Sequence, residues 1–121
     1  MSKRTPDLLL EDMLLSMQKI TDYIGSMDQQ EFAKSALTTD AVVRNLEVIG
    51  EAAPRIPETF KAHHPEVPWR RVVGLRNRIV HEYFGVDLGI VWSVVTEDLP
   101  PLKSEILGII ESLKKDSEAG C

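Results

Sequence analysis

Cysteine is almost absent from this sequence of 121 residues, where Cys121 is the single example. One thiol excludes an internal disulfide and any cysteine-based metal cluster. Aromatic residues make up only 6% of the chain, and turn pairs rich in glycine are few, which weighs against a β-sandwich or barrel. Apolar runs are too short to span a bilayer. Because no charged and then apolar signal segment opens the sequence, we expect a cytoplasmic protein without a membrane partner.

The net charge of −5 argues against broad electrostatic binding to a long nucleic acid. Four arginines nevertheless fall within nine residues, namely Arg70, Arg71, Arg76 and Arg78. Such a cationic patch on an acidic protein suits a small phosphate site better than a long duplex. For Arg70 and Arg71 the alternative is an ordinary role as solvated helix charges.

Hydrophobic periodicity predicts one helical domain over residues 1–121, with a core at about 5–113 and a frayed tail at 114–121. Thr5-Pro6-Asp7 is a typical helix start. A second long helix should begin at Thr38-Thr39-Asp40 and end at Pro54. Between them, Asp28 and Glu31 resemble a capping box. The apolar stripe of the first helix contains Leu10, Met13, Leu14, Met17, Ile20, Ile24 and Met27.

The second half of the chain should contain the remaining helices. We expect one from Pro68 to Phe84, closed by Gly85 as a left-handed cap. Asp87 should cap the next helix, and Pro100-Pro101 should separate it from the last, unless the two form one kinked helix. No segment indicates a strand. The predicted fold is therefore an all-α, up-down bundle of four to five helices.

Nearly all the groups capable of chemistry lie in one segment, Arg76-Asn77-Arg78-Ile79-Val80-His81-Glu82-Tyr83. On a helix at 100° per residue, Asn77 and His81 share one face, and Arg76 and Tyr83 share another. Arg76 and His81 then differ in direction by about 140°. A twofold dimer with two such helices face to face would bring both residue types into one cleft.

These residue types suit RNA cleavage by the RNA's own 2′-hydroxyl. Histidine can exchange a proton with the attacking and leaving oxygens near neutral pH. Arginine can bind the non-bridging oxygens as negative charge develops, and Asn77 could orient the His81 ring. The reaction needs no metal or other cofactor. The spacing alone leaves a second interpretation open, in which His81 is a structural hydrogen-bonding residue and Tyr83 lies at the edge of the core.

Arg44, Glu47 and Glu51 repeat at helical steps on the second long helix. One interpretation is an exposed ladder of ion pairs within the helix. The other is that Arg44 and Glu47, together with Arg78, support the cationic motif from nearby positions.

The segment from Arg76 to Tyr83 resembles the R-x4-H-x-Y motif of HepT-like toxins, a branch of the HEPN ribonuclease superfamily. Other segments agree in order, and the resemblance extends from about Thr5 to Leu113. These segments are Arg44-Asn45-Leu46-Glu47-Val48-Ile49-Gly50-Glu51-Ala52-Ala53, Pro68-Trp69-Arg70, Gly74-Leu75-Arg76, Tyr83-Phe84-Gly85-Val86-Asp87 and Asp98-Leu99-Pro100-Pro101-Leu102.

The resemblance implies an all-helical homodimer that cleaves RNA, such as tRNA or mRNA, without a metal and arrests growth. It implies catalytic roles for Arg76 and His81, with Asn77 supporting them. It also implies a partner, a minimal nucleotidyltransferase antitoxin that transfers AMP to Tyr83 and with which dimers could assemble further. The alternative function is a non-catalytic HEPN dimer that binds a nucleotidyltransferase or a nucleotide.

Overall fold

Three long helices form the core of the computed structural model, which describes residues 4–81 and 85–119. They are α1 (Pro6–Ile24), α3 (Ala36–Ala52) and α8 (Leu99–Ala119). Helix α1 packs along α3 and also contacts α8. Their apolar stripes meet in one buried cluster, because residues three and four apart share a helix face. The largest fully buried side chains include Leu10, Met13, Met17, Ile20, Leu46, Ile49 and Ile106.

Short helices and turns connect the long helices, beginning with α2 before α3, and with a 3₁₀ turn and α4 after it. Helix α2 (Gln29–Lys34) begins with the predicted capping box: Glu31 N donates to Asp28 Oδ1 at 2.8 Å, and Asp28 N donates to Glu31 Oε1 at 3.1 Å. Helix α3 begins earlier than predicted, because the Ser35 hydroxyl accepts the Thr38 N–H. After α3, a 3₁₀ turn carries the predicted Pro54 break, and α4 (Glu58–Ala62) follows.

The helix predicted from Pro68 to Phe84 is wrong in two places. Gly74 separates α5 (Trp69–Val73) from α6 (Leu75–Ile79), and the chain then becomes extended. Two two-residue strands, β1 (Val80–His81) and β2 (Gly85–Val86), pair antiparallel, with His81 opposite Gly85. Gly85 does have a positive φ, of 78°, but it lies in β2 and caps no helix. The predicted absence of strands is thus also wrong.

Local chemistry accounts for the change from helix to hairpin. Ile79 and Val80 are β-branched and favour strands over helices. Glycine adopts the positive φ of Gly85 without strain. The Asp87 N–H donates to the Ile79 carbonyl at 3.0 Å, so the residue that ends α6 is tied to the far side of the hairpin.

The last helical region is continuous. Asp87 caps α7 (Leu88–Ser93) as predicted, with Oδ1 accepting the Ile90 N–H at 3.1 Å. A π-helical turn (Val94–Asp98) joins α7 to α8. The alternative of one irregular helix is therefore correct, and Pro100-Pro101 lie in the first turn of α8, where their missing N–H groups cost little.

The all-α class predicted from the sequence is confirmed, with a two-residue strand pair added to it. Within the described ranges, no helix combines the length and the apolar character that crossing a bilayer requires.

Candidate active site

The segment that contains the predicted catalytic residues begins where α6 packs against α3. Gly50 of α3 is buried, and a Cβ added there would lie 3.6 Å from Arg76 N and 3.7 Å from Arg76 Cβ. A methyl group would fit there at ordinary contact distance but a larger side chain would not, so a small residue at position 50 allows the two helices to pack closely. The contact fixes the backbone of Arg76, whereas the Arg76 side chain is exposed to solvent.

The motif residues continue from α6 into the hairpin. Arg76 and Asn77 are both exposed on α6, and His81 follows on β1. The backbone of His81 is described, whereas its side chain and the whole of Tyr83 lie outside the described part of the chain. The helical phase predicted for residues 76–83 ends at Ile79, so the 140° angle between Arg76 and His81 does not apply.

Arg78 makes the closest ion pair near the motif. Its Nη1 donates to Asp98 Oδ2 at 2.7 Å, and Arg71 Nη2 approaches the same oxygen at 3.4 Å. Asp98 ends the π-helical turn before α8, so its carboxylate connects α5 and α6 to the start of that helix. Arg78, predicted as a possible supporting residue, thus has a structural partner that periodicity could not identify.

Arg44 and Glu47 lie beside the hairpin. Among the described side chains, neither of them takes part in an ion pair with a residue of the motif. Arg44 Nη1 is 3.8 Å from Glu47 Oε2 and 3.9 Å from Glu51 Oε1, and its side chain is 65% exposed. Pairs of this kind stabilise a protein little, which agrees with the interpretation as an exposed ladder. Both Arg44 and Glu47 also line a groove of about 310 Å³ whose other wall includes Val86 of β2.

Three arginines meet at an open recess next to α6. Arg70, Arg71 and Arg78 line it together with Gly74, and its volume is about 540 Å³. No acidic side chain is among the lining residues, although Asp98 partly neutralises two of the arginines from behind. Three of the four arginines of the predicted cationic patch therefore share a concave surface that could bind a phosphate oxygen, whereas Arg76 is not among its lining residues.

A metal centre would need several histidine, cysteine or carboxylate side chains close together. In residues 4–81 and 85–119, no cluster of three or more histidine, cysteine, aspartate or glutamate side chains could hold a metal ion.

Sequence comparison identifies the family. The family model described as "Ribonuclease HepT-like" matches residues 13–109, which include α3, α6, the hairpin and the first half of α8. The chain belongs to the HepT-like ribonuclease family. The match supports the ribonuclease class that the motif residues indicated.

Several relatives are similar to this chain over nearly their whole length. "Putative RNase MJ1380" of Methanocaldococcus jannaschii is 41% identical over 106 residues, which cover 88% of this chain and 97% of the relative. "Probable ribonuclease HepT" of Thermococcus cleftensis is 40% identical over 113 residues, or 93% and 99% of the two chains. No solved structure matches the chain.

Proposed function

We propose that this HepT-like protein cleaves RNA without a metal, with Arg76 and His81 as catalytic residues and Asn77 supporting them. The observation that supports this most is the exposure of Arg76 and Asn77 on the short helix α6, which leads directly into the strand that contains His81. Buried neighbours hold this helix, since Gly50 contacts the Arg76 backbone and Ile79 is fully buried.

The proposed reaction is an internal transesterification. The 2′-oxygen attacks the adjacent phosphorus while a histidine removes its proton. The bond from phosphorus to the 5′-oxygen breaks, and that oxygen receives a proton, which leaves a 2′,3′-cyclic phosphate and a 5′-hydroxyl. Arg76 binds the non-bridging oxygens, where negative charge increases in the transition state.

Cleavage of a labelled pool of tRNA and mRNA in excess EDTA tests these assignments. His81→Ala should lower the rate by about 10² to 10⁴-fold, and Arg76→Ala by about 10² to 10³-fold. His63→Ala and Arg55→Ala are matched controls, because both side chains are exposed outside the motif. Equal activity of all four variants would contradict the proposal. No cleavage by an intact wild-type protein would favour the alternative, a non-catalytic module that binds a nucleotidyltransferase or a nucleotide.

We also propose a homodimer in which two motif segments form one composite cleft. This rests on the resemblance, and mixing of subunits tests it. Random pairing of Arg76→Ala with His81→Ala chains should give about half heterodimers, each with one arginine and one histidine in the shared cleft. Recovery of cleavage on mixing would agree with a shared cleft. Two inactive proteins that stay inactive after exchange would contradict it.

The proposed biological role is that of a toxin paired with a nucleotidyltransferase antitoxin. Transfer of AMP to Tyr83, two residues from His81, would add a phosphate and a base near the site that RNA must enter. Incubation with the cognate nucleotidyltransferase and ATP should therefore increase the protein mass by AMP and abolish cleavage. Tyr83→Phe should stay active at catalytic amounts of that enzyme. Its full inactivation under those conditions would refute modification of Tyr83 as the mechanism.

A further inference from the structure

A half-open cavity of about 260 Å³ lies between α5, α6 and the start of α8. Its walls are largely apolar, formed by side chains such as Val72, Leu75 and Leu102. Its polar part consists of the paired charges of Arg71, Arg78 and Asp98 together with the carboxylates of Glu97 and Glu105. A recess with apolar walls and a few polar groups is typical of a small-molecule site.

Glu105 gives this cavity an unused hydrogen-bond acceptor. Its Oε2 is shielded from solvent, and no donor among the described residues reaches it. Asp98, in contrast, already accepts from Arg78. An acceptor removed from water without a partner destabilises the folded protein. Rotation of the half-buried Glu105 side chain would bring this carboxylate against an N–H donor of a ligand in the cavity and supply the missing hydrogen bond.

The cavity adjoins the open recess that is lined by arginines. Pro68, Arg71 and Arg78 line both spaces, so a ligand could occupy the two at once. The open recess adds Arg70 and has no acidic lining residue. One end of the combined site therefore suits an anion, and the other suits a largely apolar group that carries an N–H donor.

We propose that the combined site binds one nucleotide of the RNA substrate, selecting a base that has an exocyclic amino group. The phosphate would lie in the arginine-lined recess, and the base would enter the cavity and donate its amino N–H to the carboxylate of Glu105, which lines the cavity. Carboxylates accept such hydrogen bonds from the cytosine amino group, whereas uracil offers a carbonyl at that position. The proposal extends the proposed ribonuclease function by giving it a base preference.

Calorimetric titration with CMP and UMP tests this without any cleavage step. The wild type should bind CMP about tenfold more tightly than UMP, because UMP leaves the buried acceptor without a donor. Glu105→Leu should remove the preference and leave the melting temperature equal or higher. Glu111→Leu removes the same charge from an exposed position on α8 and should keep the preference. Arg70→Ala should weaken the binding of both nucleotides to a similar degree.

The outcomes separate the two proposals. Equal affinity for CMP and UMP, no binding of either, or a preference that survives Glu105→Leu would overturn the base site, even if RNA is cleaved. A preference that depends on Glu105 in a protein that cleaves no RNA would support the nucleotide site and contradict the ribonuclease proposal.

Discussion

Asp98→Asn tests whether the carboxylate shared by two arginines holds the motif helix in place. The Arg78 pair is short, at 2.7 Å between Nη1 and Oδ2, and its side chains are 33% and 28% exposed. The Arg71 contact is longer, at 3.4 Å, and the Arg71 side chain is 58% exposed. Asparagine keeps the shape of the side chain but removes the charge, so two guanidinium groups lose their common counterion.

The expected loss follows from these distances and exposures. A hydrogen bond to a charged group contributes about 1.5–3 kcal/mol when buried. Partial solvent exposure reduces this, so we expect Arg78 and Asp98 to be coupled by about 1 kcal/mol. The Arg71 contact should contribute less than about 0.5 kcal/mol, as exposed pairs do. Asp98→Asn should therefore lower the free energy of unfolding by about 1–2 kcal/mol.

Double-mutant cycles in urea, at one fixed protein concentration, measure both couplings. Arg78→Gln and Arg71→Gln are each combined with Asp98→Asn. The pair Arg44 and Glu47 is the control for an exposed contact, because Arg44 Nη1 lies 3.8 Å from Glu47 Oε2 and the side chains are 65% and 31% exposed. Additive effects of Arg78→Gln and Asp98→Asn, or a coupling no larger than in the control pair, would refute the reasoning.

Three further predictions concern the supports of the site and can be measured by urea unfolding and RNA cleavage. Gly50→Ala should change the free energy of unfolding little, because the added Cβ would be at ordinary contact distance from Arg76. Gly50→Leu should overpack this contact, lower the free energy of unfolding by about 1–3 kcal/mol and lower the cleavage rate. Asp28→Ala should cost about 1 kcal/mol through loss of the α2 cap and leave cleavage unchanged. Ile79→Ala should cost about 2–4 kcal/mol, since Ile79 is 0% exposed; a loss below that range would mean that the end of α6 is loosely packed.

The long helices could be predicted from the sequence because their signals are local. The apolar residues of α1 repeat at helical steps, and Met13, Met17 and Ile20 are buried as predicted. The caps at Asp28 and Asp87 are equally local, since each side chain accepts an N–H three residues ahead. Such signals agree with the tertiary packing, which makes them reliable.

The contacts around the site could not be predicted in the same way. Arg78 and Asp98 are twenty residues apart and meet only through the packing of α6 against the turn before α8. The closeness of Gly50 to Arg76 likewise depends on how α3 and α6 pack. Helical periodicity assigns a residue to a face, but it does not identify the residue opposite.

The end of α6 at Ile79 changes the argument for a dimer. On a continuous helix, Arg76 and His81 would point about 140° apart, so that they could share a small pocket only if the long arginine wrapped round or a second chain contributed. His81 instead lies on an extended strand whose backbone pairs with Gly85, so the helical phase of Arg76 does not extend to it. The angular argument for a second chain therefore no longer applies. The composite cleft is then supported by family resemblance alone, which is why exchange of inactive subunits is the decisive experiment for it.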